Sequence, residues 1–223
     1  MRVVKALGRF LWAIYVPCFY WWSVWTSYSI LVLMARWRVV GRENIPSGPL
    51  ILASSHLGNV DPMMVAIAVA PRWRYIRFMA KEQLFRYVLT PFVISWNPIR
   101  VYRGSFDRLA LRRAEAEVQR GGLLGMFPEG MRSLTGDLGP LQGGSALVAL
   151  RTNTPILPCR LFNTNHLGKK GHLFPRSTLT VRFGKPFPVE RGEGPLSQQV
   201  EALTERIREE LEALRLEHEA EAA

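Results

Sequence analysis

Short apolar runs alternate with longer amphipathic segments over most of the chain, and this alternation predicts strands that alternate with helices. The predicted strands span residues 37–40, 49–53, 74–80, 99–103, 123–127, 156–162 and 179–183. The predicted helices span residues 63–70, 82–95, 105–120 and 142–151, and a last amphipathic helix begins near Ser197. Because the two kinds of element alternate, we expect an α/β fold with a mixed, largely parallel central sheet flanked by helices.

The N-terminal segment departs from this alternation, because residues 10–35 contain no charged side chain. That length would suffice to cross a bilayer, which takes about 20 apolar residues. However, Pro17 is expected to kink or break a helix, and the many aromatic side chains favour the membrane–water interface. Basic residues flank the segment on both sides: Arg2, Lys5 and Arg9 precede it, and Arg36, Arg38 and Arg42 follow it.

Because positive charge prefers the cytoplasmic side of a membrane, both ends of this segment are expected there. We therefore predict a pair of short helices that lie in, or dip into, one leaflet. A single membrane span and an internal helix packed on the domain remain alternatives. The predicted organisation is a membrane-anchoring helical segment at 1–36 and an α/β domain at 37–223, held at the cytoplasmic face of the cell membrane.

Charge is distributed unevenly along the chain. The net charge is +11, yet residues 190–223 contain 4 Arg and 10 Glu, so the rest of the chain carries the whole positive excess. A basic body predicts an anionic partner, whether membrane lipid, a phosphorylated substrate or nucleic acid. The two cysteines, Cys18 and Cys159, provide neither a disulfide framework nor a set of metal ligands.

The stretch from His56 to Asp61 is the first candidate for chemistry. His56 follows a predicted strand, and Asp61 stands at the predicted N-cap of the next helix, with Pro62 at its first position. On one helix, residues five apart would point about 140° away from each other. Across a strand-to-helix turn the carboxylate can instead fold back onto the imidazole, fix its tautomer and leave the other nitrogen as a base. The alternative is a structural histidine and an aspartate that only caps the helix.

Further charged residues fall at, or just after, the ends of predicted strands, where sites form in α/β sheets. They are Lys81, Arg103, Glu129 and Arg132. The three cations suit a phosphate, and the turn Pro128-Glu129-Gly130 can present backbone N–H groups. The alternatives are solvated or membrane-facing arginines and a glutamate that pairs with one of them.

The sequence contains no G-x-S-x-G elbow, no phosphate-binding glycine loop and no metal-ligand spacing. A base without a protein nucleophile suits direct attack by a hydroxyl group of a substrate.

Four segments, in this order, resemble the four conserved blocks of the glycerolipid acyltransferase family. They are His56-x₄-Asp61, Val101-Tyr102-Arg103-Gly104, Phe127-Pro128-Glu129-Gly130-Met131-Arg132-Ser133 and Pro155-Ile156-Leu157-Pro158. The resemblance covers roughly residues 37–190 and is strongest to bacterial 1-acyl-glycerol-3-phosphate acyltransferases. It implies transfer of a fatty acyl group from an acyl-CoA or an acyl carrier protein (acyl-ACP) to a hydroxyl of a glycerol phosphate.

By this resemblance, His56 is the catalytic base and Asp61 the acid that orients it. The residues expected to bind the glycerol phosphate of the acceptor are Lys81, Arg103, Glu129, Gly130 and Arg132. The resemblance implies no metal and no cofactor besides the acyl donor. The expected partners are the bilayer, the acyl-CoA or acyl-ACP and a lysophospholipid acceptor, and no nucleic acid.

Three positions depart from the family pattern. Ser55 stands where asparagine often precedes the histidine, Met131 where a small polar residue is usual, and Gln142 about where lysine is common. These departures bear on the identity of the acceptor more than on the reaction. Another lyso-lipid or a glycolipid acceptor, or a non-catalytic lipid-binding protein, are therefore the alternatives.

Overall fold

A seven-stranded sheet forms the centre of the protein. The structure, a computed structural model, describes residues 2–86, 96–102, 107–133, 136–166 and 178–222. The strands are β1 (Trp37–Val40), β2 (Leu50–Ser54), β3 (Ile76–Lys81), β4 (Ile99–Val101), β5 (Leu123–Met126), β6 (Ile156–Phe162) and β7 (Leu179–Phe183). Their spatial order is β1-β7-β6-β2-β5-β3-β4. Only β6 and β7 pair antiparallel, so the sheet is mixed and largely parallel, as predicted.

Helices cover both faces of this sheet. They are α1 (Arg2–Met34), α2 (Asp61–Val69), α3 (Arg108–Gln119), α4 (Gly144–Thr152) and α5 (Leu196–Ala222). Leu50 and Leu52 of β2 pack in one apolar cluster with α1 and α2, whereas Ile51 and Ala53 pack in a second cluster with α3, α4 and α5. Because successive side chains of a strand point to opposite faces, the fully apolar run of β2 supplies both clusters.

The N-terminal segment forms one helix, α1, which continues through Pro17, so the prediction of two short helices was wrong. Proline removes one hydrogen bond from a helix interior, and packing of the following turns offsets that loss here. Tyr20 and Val24 are fully buried in the cluster that they share with α2, and the Tyr20 ring lies 4.3 Å from that of Tyr75.

Among the described residues, no helix combines the length and the apolar character that crossing a membrane requires. Anchoring at a membrane surface and the division of the chain at residue 36 stay predictions.

Two further elements differ from the sequence prediction. Helix α3 begins at Arg108 and not at Ser105, because the Asp107 carboxylate accepts the N–H of Ala110 at 3.0 Å and so caps the helix there. Of the predicted helix at 82–95, Glu82–Arg86 form a 3₁₀ helix, and the remainder lies outside the described residues. Strand β4 ends at Val101, and the predicted site residue Arg103 also lies outside the described residues.

Candidate active site

The carboxyl ends of β2 and β5 bring two of the predicted site segments together. These strands are parallel neighbours, with Ala53 opposite Met126. His56 therefore follows β2 at the same edge of the sheet where the turn at residues 127–133 follows β5. Polar loop residues gather at this edge because parallel strands deliver all their following loops to one side.

His56 and Asp61 lie in direct contact. The Nδ1 atom of His56 lies 2.8 Å from Oδ2 of Asp61, whose side chain is completely buried, whereas the His56 side chain is 19% exposed. Since a carboxylate only accepts hydrogen bonds, Nδ1 carries the proton and Nε2 is the nitrogen that can accept one. The carboxylate folds back from α2 as the strand-to-helix turn predicts.

The prediction that Asp61 is the N-cap of α2 was wrong. Asp61 is the first residue of this helix, and Val60 occupies the N-cap without a side-chain hydrogen bond. The carboxylate does not cap α2 because it faces the preceding turn. Its Oδ2 accepts the N–H groups of Leu57 at 2.5 Å and Gly58 at 2.7 Å. The turn thereby fixes the carboxylate against the imidazole.

Glu129 connects the second segment to the first. Its side chain is only 4% exposed, and its two oxygens accept different backbone N–H groups: Oε1 that of His56 at 2.8 Å, and Oε2 that of Gly139 at 3.0 Å. In the other direction, the N–H of Ser133 donates to the carbonyl of His56 at 2.8 Å. No described arginine pairs with Glu129, so its bonds to the described residues are to backbone N–H groups.

An aromatic stack covers the imidazole of His56. The ring of Phe127 lies 4.3 Å from it at an interplanar angle of 25°, and the Phe78 ring stacks on Phe127 at 5.7 Å. A Cβ at Gly125 would fall 2.3 Å from the Phe78 ring, so glycine lets this ring pack on β5. Sequence reasoning missed this stack, although Gly125 and Phe127, two positions apart at the end of an apolar strand and therefore on one face, were a signal for it.

Two of the predicted cations, Lys81 and Arg132, lie at the same edge of the sheet. Lys81 is the last residue of β3, next to β5, and is partly exposed. Arg132 is exposed and follows Gly130, whose φ of +65° lies in the left-handed region that glycine tolerates. A Cβ at Gly130 would fall 2.8 Å from the Gln142 amide nitrogen, so the turn packs directly on Gln142.

The described residues supply neither a reactive thiol nor a metal-ligand cluster at this edge. Cys159 is completely buried in β6, and burial raises the pKa of its thiol to about 12, which keeps it protonated at neutral pH. Within the described parts of the chain, no three residues among His, Cys, Asp and Glu are grouped as metal ligands. The described part of this edge therefore places the His56 imidazole against a buried carboxylate, with Lys81 and Arg132 nearby.

Comparison with known proteins gives a consistent result. The family model described as Acyltransferase matches residues 36–161. The 1-acyl-sn-glycerol-3-phosphate acyltransferase of Borreliella burgdorferi is 34% identical over 143 residues, which cover 61% of this chain and 55% of that protein. The enzyme of the same name from Pseudomonas aeruginosa is 27% identical over 196 residues, which cover 80% of this chain and 72% of that protein.

The chain spans about half the length of the first curated relatives that it matches. Among solved structures, it is similar to the 1-acyl-sn-glycerophosphate (LPA) acyltransferase PlsC from Thermotoga maritima. The TM-score is 0.63 at 24% identity, and the match covers 96% of this chain and 84% of that chain. This likeness shows that the two chains share the α/β fold.

Proposed function

This chain belongs to the acyltransferase family, and on that basis we propose that it moves a fatty acyl group from an acyl-CoA or acyl-ACP to the 2-hydroxyl of 1-acyl-glycerol 3-phosphate, giving phosphatidate. The names of the Borreliella and Pseudomonas relatives support this acceptor. The observation that carries the reaction type is the contact of 2.8 Å between His56 Nδ1 and Asp61. It leaves Nε2 as a base at the edge where the cations lie.

In the proposed reaction, Nε2 of His56 takes the proton of the acceptor hydroxyl while its oxygen attacks the thioester carbonyl. The buried Asp61 carboxylate stabilises the imidazolium that forms. When the tetrahedral intermediate collapses, the C–S bond breaks, the ester remains, and the imidazolium returns the proton to the leaving thiolate. General base catalysis of this kind contributes about 10²- to 10⁴-fold in rate.

We assign the phosphate of the acceptor to the cations at the rim. Arg132 is exposed within the turn at residues 127–133, and Lys81 ends a neighbouring strand at the same edge. Arg103 completes this proposed set on the resemblance alone, and Gly130 lets the turn approach the acceptor closely. Glu129 belongs to the same turn, but its bonds to backbone N–H groups give it a different role, which we argue below.

The experiment that tests the reaction measures thioester consumption by the purified protein in detergent. An acyl-CoA or an acyl-ACP is supplied with lysophosphatidate, and wild type is compared with His56→Ala. We expect turnover in wild type and a loss of at least about 10²-fold in the variant. His218→Ala, on α5, is the matched histidine control and is expected to keep its activity. Absence of turnover in wild type with both donors would contradict the proposal.

We also propose that the outer face of α1 contacts the bilayer at the cytoplasmic face of the cell membrane. Trp22 is 60% exposed and Leu33 83%, and the ring of the 73% exposed Trp73 lies beside α1 in tilted contact with the rings of Trp21 and Trp25. Deleting this helix would uncover the core around Tyr20, so the test uses Trp22→Ser with Trp73→Ser in the full chain. Flotation with anionic vesicles should fall in this variant; unchanged flotation would assign binding to the basic body instead.

A further inference from the structure

The family resemblance assigns Glu129 to the acceptor, but its surroundings favour another role. A group that binds an acceptor must be reachable from solvent, and Glu129 is 4% exposed. Each of its oxygens already accepts a backbone N–H, from His56 and from Gly139. A carboxylate is also a poor neighbour for a phosphate, because both are anions.

We infer that Glu129 is a positioning residue, which holds the backbone of His56 in place instead of binding the acceptor. This inference rests on the proposed function, because it assigns a role at the same site. The bond from His56 N–H to Oε1 at 2.8 Å is charge-assisted, and such bonds are about twice as strong as neutral ones. The loop that carries the base has no regular secondary structure at His56, so it depends on such bonds for its position.

Both backbone polar groups of His56 bind the turn at residues 127–133. The N–H donates to Glu129, and the C=O accepts from Ser133 N–H at 2.8 Å, so the turn brackets the base on both sides. The turn itself is held from behind by Gly139 N–H on Glu129 and by Gln142 N–H on the carbonyl of Pro128 at 2.7 Å. These bonds join two segments that are 73 residues apart in sequence.

The same turn carries Arg132, directly before Ser133. A phosphate that binds Arg132 is therefore held by the same turn that fixes the backbone of the proposed base. This short connection joins two separate roles of the turn: Arg132 binds the phosphate, and Glu129 holds the backbone of His56. Glu129 is the anchor of this connection, since it alone among the described side chains bonds the peptide N–H of His56.

The test is Glu129→Gln, which keeps the shape of the side chain. The amide has one oxygen, so it can accept only one of the two N–H groups, and its NH₂ group faces the other donor. We expect kcat to fall about tenfold or more with lysophosphatidate, while KM for the acceptor stays within about twofold. Arg132→Ala should do the opposite and mainly raise KM. Glu209→Gln, on the exposed face of α5, is the matched control and should leave both constants unchanged.

A second acceptor separates the two roles. With 1-acyl-glycerol, which lacks the phosphate, Glu129→Gln should lower turnover by the same factor as with lysophosphatidate, whereas the effect of Arg132→Ala should vanish. A rise in KM at unchanged kcat, or wild-type constants in Glu129→Gln, would overturn the inference. Since both results require an active wild type, they are distinct from a failure of the proposed function, in which wild type itself is inactive.

If Glu129→Gln does not fold, amide exchange of the wild-type protein decides. The N–H groups of His56 and Gly139 are expected to exchange more slowly than that of the exposed Asn59, because each is bonded to a buried carboxylate. Exchange of both at the rate of Asn59 would overturn the inference without any variant.

Discussion

Charged side chains are buried in two regions of this sheet, and the two regions use them differently. At the carboxyl ends of β2 and β5, the buried groups are the carboxylates of Asp61 and Glu129, and their described partners are backbone N–H groups and an imidazole. On β6 and β7, beneath α5, the buried groups are the cations of Arg160 and Arg182, which lie opposite each other in the strand register. Their partners are glutamates of α5 that remain partly exposed.

The partners decide what each burial achieves. Two like charges on facing strands repel, so the glutamates of α5 neutralise them: Glu212 lies 3.1 Å from Arg160, and Glu217 3.3 Å from Arg182. These ion pairs hold a helix on a sheet. The two carboxylates, in contrast, fix the backbone and the ring of one residue, His56. Buried charge therefore serves packing in one region and the position of His56, the proposed base, in the other.

The largest expected effect comes from Asp61→Asn, which removes the charge and keeps the shape. The amide oxygen can still face the imidazole if the NH₂ group takes the place of Oδ1. That place is available because Oδ1 has no hydrogen-bond partner among the described residues. The imidazolium loses its counter-charge, so we expect kcat to fall at least about 100-fold with little change in KM. The assay is the thioester assay above.

Asp107→Asn is the matched control for this change. Asp107 also accepts two backbone N–H groups, those of Tyr102 and Ala110, but no contact joins it to a histidine of the described segments. It should keep kcat within about threefold, since a cap contributes to stability by about 1 kcal/mol and not to proton transfer. Equal losses in both variants would mean that Asp61 serves only the fold.

A smaller effect, and one on stability instead of turnover, is expected for Arg160→Ala. The variant removes the ion pair with Glu212 and the hydrogen bond to the carbonyl of Leu211, but it also relieves the repulsion with Arg182. We expect the free energy of unfolding to fall by about 2 kcal/mol, measured by denaturant titration, with kcat of the folded protein in the thioester assay unchanged. Arg215→Ala, which breaks exposed pairs on the same helix, should leave the free energy of unfolding nearly unchanged.

If Arg160→Ala lowers kcat as strongly as Asp61→Asn, the distinction between the two regions fails. The ion pairs under α5 would then support the active site and not only the helix.

The sequence was sufficient for those features that depend on neighbouring residues. The apolar run of β2 and the strand-to-helix step at His56 and Asp61 are local, so the sheet and the fold-back of the carboxylate could be predicted. The continuity of α1 through Pro17 could not, because it depends on Tyr20 packing against Tyr75 far along the chain. The bond from His56 to Glu129 spans 73 residues, and neither segment alone shows that the carboxylate oxygens of the glutamate accept backbone N–H groups.

The smallest expected effect concerns His218 on α5, whose ring stacks on Phe162 at 3.7 Å. Burial lowers the pKa of His218 below its usual 6.5, and the charge of Arg182 lowers it further, against the opposing influence of Glu221. Because the folded protein favours the neutral ring, the contribution of His218 is fully present above pH 6.5 and is lost as the pH falls below that value. Denaturant titration at pH 7.5 and pH 5.5 should therefore show wild type losing more stability than His218→Gln.

The ion pairs of Glu212 and Glu221 persist to lower pH, because the pKa of each carboxyl is lowered in the fold. For Glu212, burial raises the pKa, but its bonds to Arg215 and Arg160 outweigh that effect; for Glu221, the bond to Arg182 lowers the pKa. Turnover of the folded protein should be the same in wild type and His218→Gln at both pH values, because His218 packs α5 on the sheet, whereas the proposed base is His56. A pH profile of kcat that changes with His218→Gln would show that the region beneath α5 affects the site at His56, and the distinction between the two regions would fail.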